Sequence, residues 1–414
     1  MPSKGSDPFC HGLLGDGANF DGAELVSMRE RFMPDTPNDP GPLRFPRREL
    51  LSAGVAGLAL AGTAQAQAAV AEKPIRIGVV SASIGGKPQK TNGHTWHFAQ
   101  PFHPTVNLEV VKKYLDPGSS RIYQQYFRNP ATSFDLTPFP GTRISHVYDA
   151  DPASAAMFAE AFPGVEVATS LEAMVKDVDA IWMGDASGRG EDHFDLVAPG
   201  LERGLPTFCD KPIGGTVANT RKILQLARDH RAPIMSSSLF RHQWGTETAL
   251  RMKASGEFGP LQYVIASQGG GYSHPSWFIY GQHPVWMTMT LCGPGVEAVS
   301  MYARENTCHA LLTYPDRMPA EVWYGRPDIA KTYCSTSVHF TQKSYEYTPA
   351  IEGDYWFGHH YQIVRMALAF LGMIRTGVEP VPHQEILEVT AIIHAAARSL
   401  EEKSRLVALA EVLG

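Results

Sequence analysis

The sequence predicts an α/β fold: an N-terminal Rossmann-like, doubly wound parallel sheet, followed by an α+β domain built on an open, mostly antiparallel sheet. Three observations carry this. From Pro74 to about residue 238, short apolar runs alternate with helical segments, the pattern of strands covered on both faces by helices. After about residue 258 the period drops to two, with β-branched and aromatic residues alternating and few helical periods between. A chain of 414 residues, 43% hydrophobic and 10% aromatic, has the material for two sizeable cores.

Taken in order, Ile75-Arg76-Ile77-Gly78-Val79-Val80 is a buried-strand run ended by Ser and Gly. Strand 143–148 stops at Asp149-Ala150-Asp151-Pro152, and an alanine-rich helix follows to Phe162, where Pro163-Gly164 ends it. Strand 179–183, helix 192–203, strand 205–209, helix 216–230 and strand 233–237 complete the alternation. Segments 261–268, 296–303, 308–314, 320–324 and 331–340 are the expected antiparallel strands, and a helix at 358–376 and a last helix pair at 383–412 close the chain. These elements predict a dinucleotide-binding domain over 72–238, with an insertion at about 87–141, and a substrate and oligomerisation domain over 239–414 whose C-terminal helices pack back. One broad face of the antiparallel sheet would be left apolar, so a homo-oligomer built on it is expected.

Charge and cysteines narrow the function. With 36 basic against 42 acidic residues and a pI of about 6.2, the chain lacks the basic footprint of a nucleic-acid groove, so a small-molecule ligand is expected. Cys10, Cys209, Cys292, Cys308 and Cys334 are too few and scattered for a disulfide framework.

The leader is an address. Arg47-Arg48, the weakly apolar run to Ala61 and Ala64-Gln65-Ala66-Gln67-Ala68 have the order of a secretory n-region, h-region and cleavage site. The run is shorter than the ~20 residues that span a bilayer, and a buried Ala/Gly helix is the alternative. The adjacent arginines make it resemble a twin-arginine signal. Residues 1–68 are therefore expected to be removed on export to the periplasm or outside the cell, with translation starting at Met33 and no membrane span in the mature protein.

Strand 75–80 ends in Ser81-Ala82-Ser83-Ile84-Gly85-Gly86, where G-x-G-x-x-G would be expected. Serines replace the first two glycines, and Gly86 alone fits. Ser81, Ser83, Gly85 and Gly86 are candidates to hold a dinucleotide, and Asp149 to take its ribose hydroxyls. Asp149 stands much further along than the usual ~20 residues. The excess contains Gly93-His94-Thr95-Trp96-His97-Phe98-Ala99-Gln100-Pro101-Phe102-His103, read as an insertion covering the cofactor or shaping the substrate mouth. His94 and His97 stand at i, i+3, but no Cys or third carboxylate accompanies them, so no metal is expected and His97 is a candidate substrate contact.

Phe208-Cys209-Asp210-Lys211-Pro212, with Asp149-Ala150-Asp151-Pro152, Asp177-Val178-Asp179-Ala180-Ile181 and Phe240-Arg241, resembles the glucose-fructose oxidoreductase, inositol dehydrogenase and MocA (Gfo/Idh/MocA) family, from about Pro74 to Leu406. The resemblance implies an NAD(P)-dependent oxidoreductase acting on a sugar, cyclitol or related polyol, and export away from a free nicotinamide pool calls for a tightly bound cofactor. NAD is favoured because the Asp149 carboxylate would repel a 2′-phosphate. It implies that Lys211 touches nicotinamide ribose and substrate. The family's D-x-G-x-H-x-x-D signature is matched by Ile279 to Trp286: Gly281 and His283 fit, and Ile279 and Trp286 replace both aspartates. His283 is then the implied general base, with Tyr280 or His274 standing in for a missing carboxylate. Asp185, with His193 nearby, falls beside the nicotinamide ribose. Arg241 would pair with a carboxylate in the cleft or form an inter-domain ion pair, and His360 begins a helix that nears the site in relatives. Cys209 is expected to be an inert core thiol. Two other functions stay open: NAD-assisted glycoside cleavage or epimerisation without net redox, and a sugar-binding protein that has lost catalysis.

Overall fold

The six strands of the first sheet all run parallel, in the order β3-β2-β1-β4-β5-β6. They are β1 Ile75–Val80, β2 Thr142–Tyr148, β3 Glu166–Val167, β4 Ala180–Met183, β5 Thr207–Cys209 and β6 Ile234–Met235. The computed structural model describes residues 73–84, 87–88, 94–124, 128, 137–185, 188–326, 334–348 and 353–414. The leader, Gly85 and Gly86 lie outside them. The strand order is that of a doubly wound dinucleotide-binding sheet, which reverses direction between β1 and β4 and opens a crevice there.

Local chemistry sets the helices that cover this sheet. They are α1 Leu108–Tyr114, α2 Pro117–Ile122, α3 Pro152–Ala161, α4 Leu171–Met174, α5 His193–Glu202 and α6 Val217–His230. Asn107, Asp116, Asp151, Ser170 and Thr216 each cap a helix by accepting a backbone N–H one turn in. Pro117 and Pro152 occupy first helical positions, where their missing N–H costs nothing.

The described residues between 87 and 141 take part in the core. Trp96, Phe98 and Phe102 are fully buried, and Phe102 packs against Phe139, Trp182 and Phe370 at centroid distances of 5.4, 5.6 and 6.0 Å. The described part of the segment thus builds one wall of the core and also carries α1 and α2.

The second sheet has the order β12-β11-β7-β10-β9-β8-β13, from β7 Leu261–Gly269, β8 Ala298–Arg304, β9 Thr307–Thr313, β10 Ala320–Arg326, β11 Cys334–Phe340, β12 Ser344–Tyr347 and β13 Val407–Ala408. Neighbours are antiparallel except β7 and β10. Three helices precede or interrupt it where strand rhythm dominates the sequence: α7 Trp244–Ser255, α8 His274–Tyr280 and α9 Gln282–Cys292. In α9 every residue but Thr290 is buried, so the helix has no solvent face and shows no amphipathic period.

The C-terminal helix α10 Gly353–Thr376 packs back on the first sheet, α11 His383–Glu401 lies against β8 of the second sheet and against α6, and α12 Ala410–Leu413 ends the chain. Phe370 of α10 sets its edge on Trp182 and Phe208, which stack on each other at 3.9 Å. Thr390 of α11 bonds Thr220 of α6 at 3.3 Å, and His394 donates to the Gly215 carbonyl at 3.0 Å. Cys209, Cys292, Cys308 and Cys334 are free and buried. Among the described residues no helix is long and apolar enough to cross a membrane.

Candidate active site

The loops after β1, β4 and β5 meet at the carboxyl end of the parallel sheet. Ser81, at the first-glycine place, has a φ of 69°, the left-handed conformation that glycine ordinarily supplies at a tight turn. Its hydroxyl donates to Asp185 Oδ1 at 3.1 Å. Asp149 stands at the end of β2 as expected, but its carboxylate faces inward onto the loop. Oδ2 accepts the Ala82 and Ser83 N–H groups at 2.7 and 2.9 Å, and Oδ1 accepts Ser83 Oγ at 3.1 Å and the Asp151 N–H at 2.7 Å. A carboxylate offers about four acceptor positions, so ribose hydroxyls would have to displace groups of the chain itself.

Lys211 follows β5 and is 6% exposed. Its N–H donates to Asp210 Oδ1 at 2.7 Å, and its Nζ lies 3.5 Å from the Ile279 carbonyl. Burial lowers the pKa of the ammonium, and the charge of Asp210 opposes that. The Tyr280 ring, 39% exposed at the end of α8, is centred 5.9 Å from Lys211 Nζ and 6.4 Å from the His283 ring. His283, in the first turn of α9, places Nδ1 2.6 Å from Ser238 Oγ and meets Phe240 edge-on at 4.9 Å. Lys211 and His283, 72 residues apart in the sequence, therefore share Tyr280 as a neighbour. The backbone carbonyl of Ile279 faces Lys211 where the family signature has a carboxylate, and Trp286 is buried in the core.

Behind Ser81, Asp185 Oδ2 lies 3.6 Å from Nε2 of His193, which is 1% exposed. Burial disfavours the imidazolium, but Asp185 and Cys209 outweigh it and raise its pKa to about 10. Cys209 Sγ donates to the Ile213 carbonyl at 3.6 Å, and burial pushes its thiol up, as an inert core position requires. Asp185, Asp192 and His193 bring ligand atoms within 4.8 Å of one another, but Asp192 is exposed, and acidic groups commonly stand so without an ion. His94 and His97 do not converge on a metal. His94 contacts Asp210, whereas His97 is buried against Tyr123 at 5.1 Å.

Several expected substrate contacts are engaged elsewhere. Arg241 is ion-paired to Glu385 of α11, donates to Thr290 Oγ1 at 3.0 Å and lies over Trp286, so it ties elements together. His274 pairs with Glu401 at 3.3 Å near the surface and does not stand in for a missing carboxylate. His360 is fully buried in α10, and burial pushes its pKa down to about 3, leaving a neutral core imidazole. Ser238 was not legible as a site residue, since it lies in a run of three serines without a motif.

Residues 118–237 match the GFO_IDH_MocA family, described as an oxidoreductase family with an NAD-binding Rossmann fold. The inositol 2-dehydrogenases of Corynebacterium glutamicum strains R and ATCC 13032 are 32% identical over 124 residues, 29% of this chain and 36% of theirs, so the match spans about a third of those relatives. Among solved structures, a putative myo-inositol dehydrogenase from Sinorhizobium meliloti 1021 superimposes with a TM-score of 0.60 at 17% identity, over 81% of this chain and 99% of that one. A scyllo-inositol dehydrogenase from Lactobacillus casei, with bound NAD(H) and scyllo-inositol, gives 0.61 at 14% identity, over 82% and 100%. At these identities the likeness is one of fold.

Proposed function

We propose that this chain is a Gfo/Idh/MocA-type, NAD(P)-dependent oxidoreductase acting on a CH–OH group of a cyclitol, sugar or related polyol. The observation that carries the reading is the placement of Lys211 and His283 around Tyr280, at the crevice where the parallel sheet reverses. The left-handed turn at Ser81 fits a dinucleotide loop. Ser81, Ser83, Asp185 and Lys211 would hold the cofactor, with Asp149 shaping the loop that receives it. When bound, the nicotinamide exchanges hydride with the substrate carbon.

His283 takes the substrate hydroxyl proton at Nε2, which requires Nδ1–H to donate to Ser238 Oγ; that oxygen already accepts the Phe240 N–H at 3.1 Å and keeps a second lone pair. Lys211, held between Asp210 and the Ile279 carbonyl, places a positive charge where the substrate oxygen becomes alkoxide-like. Tyr280 offers its exposed ring to the apolar face of a polyol ring. Purified protein given NAD or NADP with myo-inositol, scyllo-inositol and aldoses should reduce the nicotinamide, and Lys211→Ala and His283→Ala should each abolish it. Product seen by NMR without net reduction would instead support NAD-assisted cleavage or epimerisation.

The leader supports export by a twin-arginine-type route with the cofactor loaded before transport, so exported protein should begin near Ala68 and release NAD or NADP on denaturation. The open face of the second sheet supports a homo-oligomer. Trp323 stacks on His309 at 4.2 Å there and donates to Glu321 at 2.9 Å, a pre-arranged half-buried surface. Light scattering that returned a monomer mass would refute it.

A further inference from the structure

We infer that His94 is a positioning residue for Lys211, acting through Asp210. The inference rests on the functional reading of Lys211, and on a piece of sequence that reading leaves unused, the histidine- and aromatic-rich turn at 94–98. That turn is tied to the ends of β1 and β4. The His94 carbonyl accepts Trp182 Nε1 at 3.0 Å, Trp96 Nε1 donates to the Ala82 carbonyl at 2.9 Å, and Thr95 Oγ1 donates to the Ser81 carbonyl. Gly184 permits the approach, since a Cβ there would lie 2.8 Å from the His94 carbonyl carbon. The His94 ring stacks on Phe98 at 4.5 Å and 17°, which aims Nδ1 at Asp210 Oδ2 in direct contact.

Asp210 is 1% exposed and His94 7%. A buried carboxylate is oriented by the donors that satisfy it. Its donors are His94 on Oδ2 and the Lys211 N–H on Oδ1. Asp210 in turn accepts the Lys211 backbone N–H, which fixes where that side chain starts, and its charge opposes the effect of burial on the ammonium, whose neighbours include the Tyr280 ring and the Ile279 carbonyl, with His283 beyond Tyr280. His94 therefore holds the carboxylate that holds the lysine.

The test reads Lys211 directly and needs no substrate. Protein carrying [ε-13C]lysine is titrated by NMR, with the Lys211 resonance identified by its loss in Lys211→Gln. Asp210→Asn should lower the Lys211 titration by about one pH unit or more, the effect of losing an opposite charge. His94→Ala should lower it in the same direction, and His94→Asn, whose amide can donate from the Nδ1 position, should restore it. NAD binding by calorimetry is measured in parallel. If His94→Ala leaves Lys211 unmoved or raises it while Asp210→Asn lowers it, the inference is overturned. If His94→Ala does not fold, His94→Asn is compared with His94→Gln instead, since only the former keeps the donor in place: equal Lys211 titrations in the two overturn the inference, and a lower one in His94→Gln supports it. Wild-type protein that binds neither NAD nor NADP would overturn the oxidoreductase reading and leave the Lys211 titration to judge His94.

Discussion

His283 Nδ1 and Ser238 Oγ stand 2.6 Å apart, joining the first turn of α9 to the turn that follows β6. With Nδ1–H donating to the hydroxyl, the contact leaves Nε2 as the nitrogen that takes a proton. Ser238→Ala removes it without opening a large cavity. Turnover should fall roughly fivefold, in line with about 1 kcal/mol for one hydrogen bond, with NAD affinity unchanged. Steady-state kinetics beside calorimetry checks this, and a loss of NAD affinity instead would mean that the serine serves the cofactor.

Asp149 organises the loop before any ligand arrives. Asp149→Ala should destabilise cofactor-free protein by about 1–3 kcal/mol, because it strands three backbone N–H groups that the carboxylate now satisfies. Denaturant unfolding without nucleotide measures it. Unchanged stability with weakened NAD binding would restore a pure ribose-binding role.

Arg241 separates structure from recognition. Breaking its partly buried pair with Glu385 by Arg241→Ala should cost about 3 kcal/mol, since burial already pushes the Glu385 carboxyl up and Arg241 opposes this. The KM for the polyol should not move. A raised KM at unchanged stability would put the guanidinium in the substrate cleft.

Asp185 and His193 predict a pH dependence of stability. The folded pKa of His193 is raised from 6.5 to about 10, so its contribution is complete below pH 6.5 and is lost as pH rises toward 10. The gap in Tm between wild type and His193→Gln should therefore be widest near pH 6 and shrink by pH 10. Thermal unfolding across that range tests it, and a gap that grows with pH would show that the imidazole is buried neutral.

Much of the fold was legible from local pattern. Five strands of the first sheet and the helix stop after Phe162 announce themselves within a few residues, because backbone preference and apolar period act locally, whereas the two-residue strand β3 is too short to show a period. The helices α8 and α9 did not. Burial on nearly all sides removes from α9 the polar face that marks a helix, α8 is only seven residues long, and the match to a family signature at Gly281 and His283 said nothing of helical state. The same limit applied to Asp149, whose type and place pointed to ribose while its hydrogen bonds went to residues 82, 83 and 151.

The sequence by itself determined most of the elements and their alternation into a parallel sheet and then a mostly antiparallel one, and its family resemblance pointed to Lys211 and His283. Only the tertiary structure decided the company they keep. It set His94 on Asp210, Ser238 on His283 and Tyr280 between the two reactive groups, and it drew Arg241, His274, His97 and His360 into pairs or core positions. Partners so distant in sequence meet only once the two sheets and the C-terminal helices have packed, and burial then fixes which contacts each polar group must make.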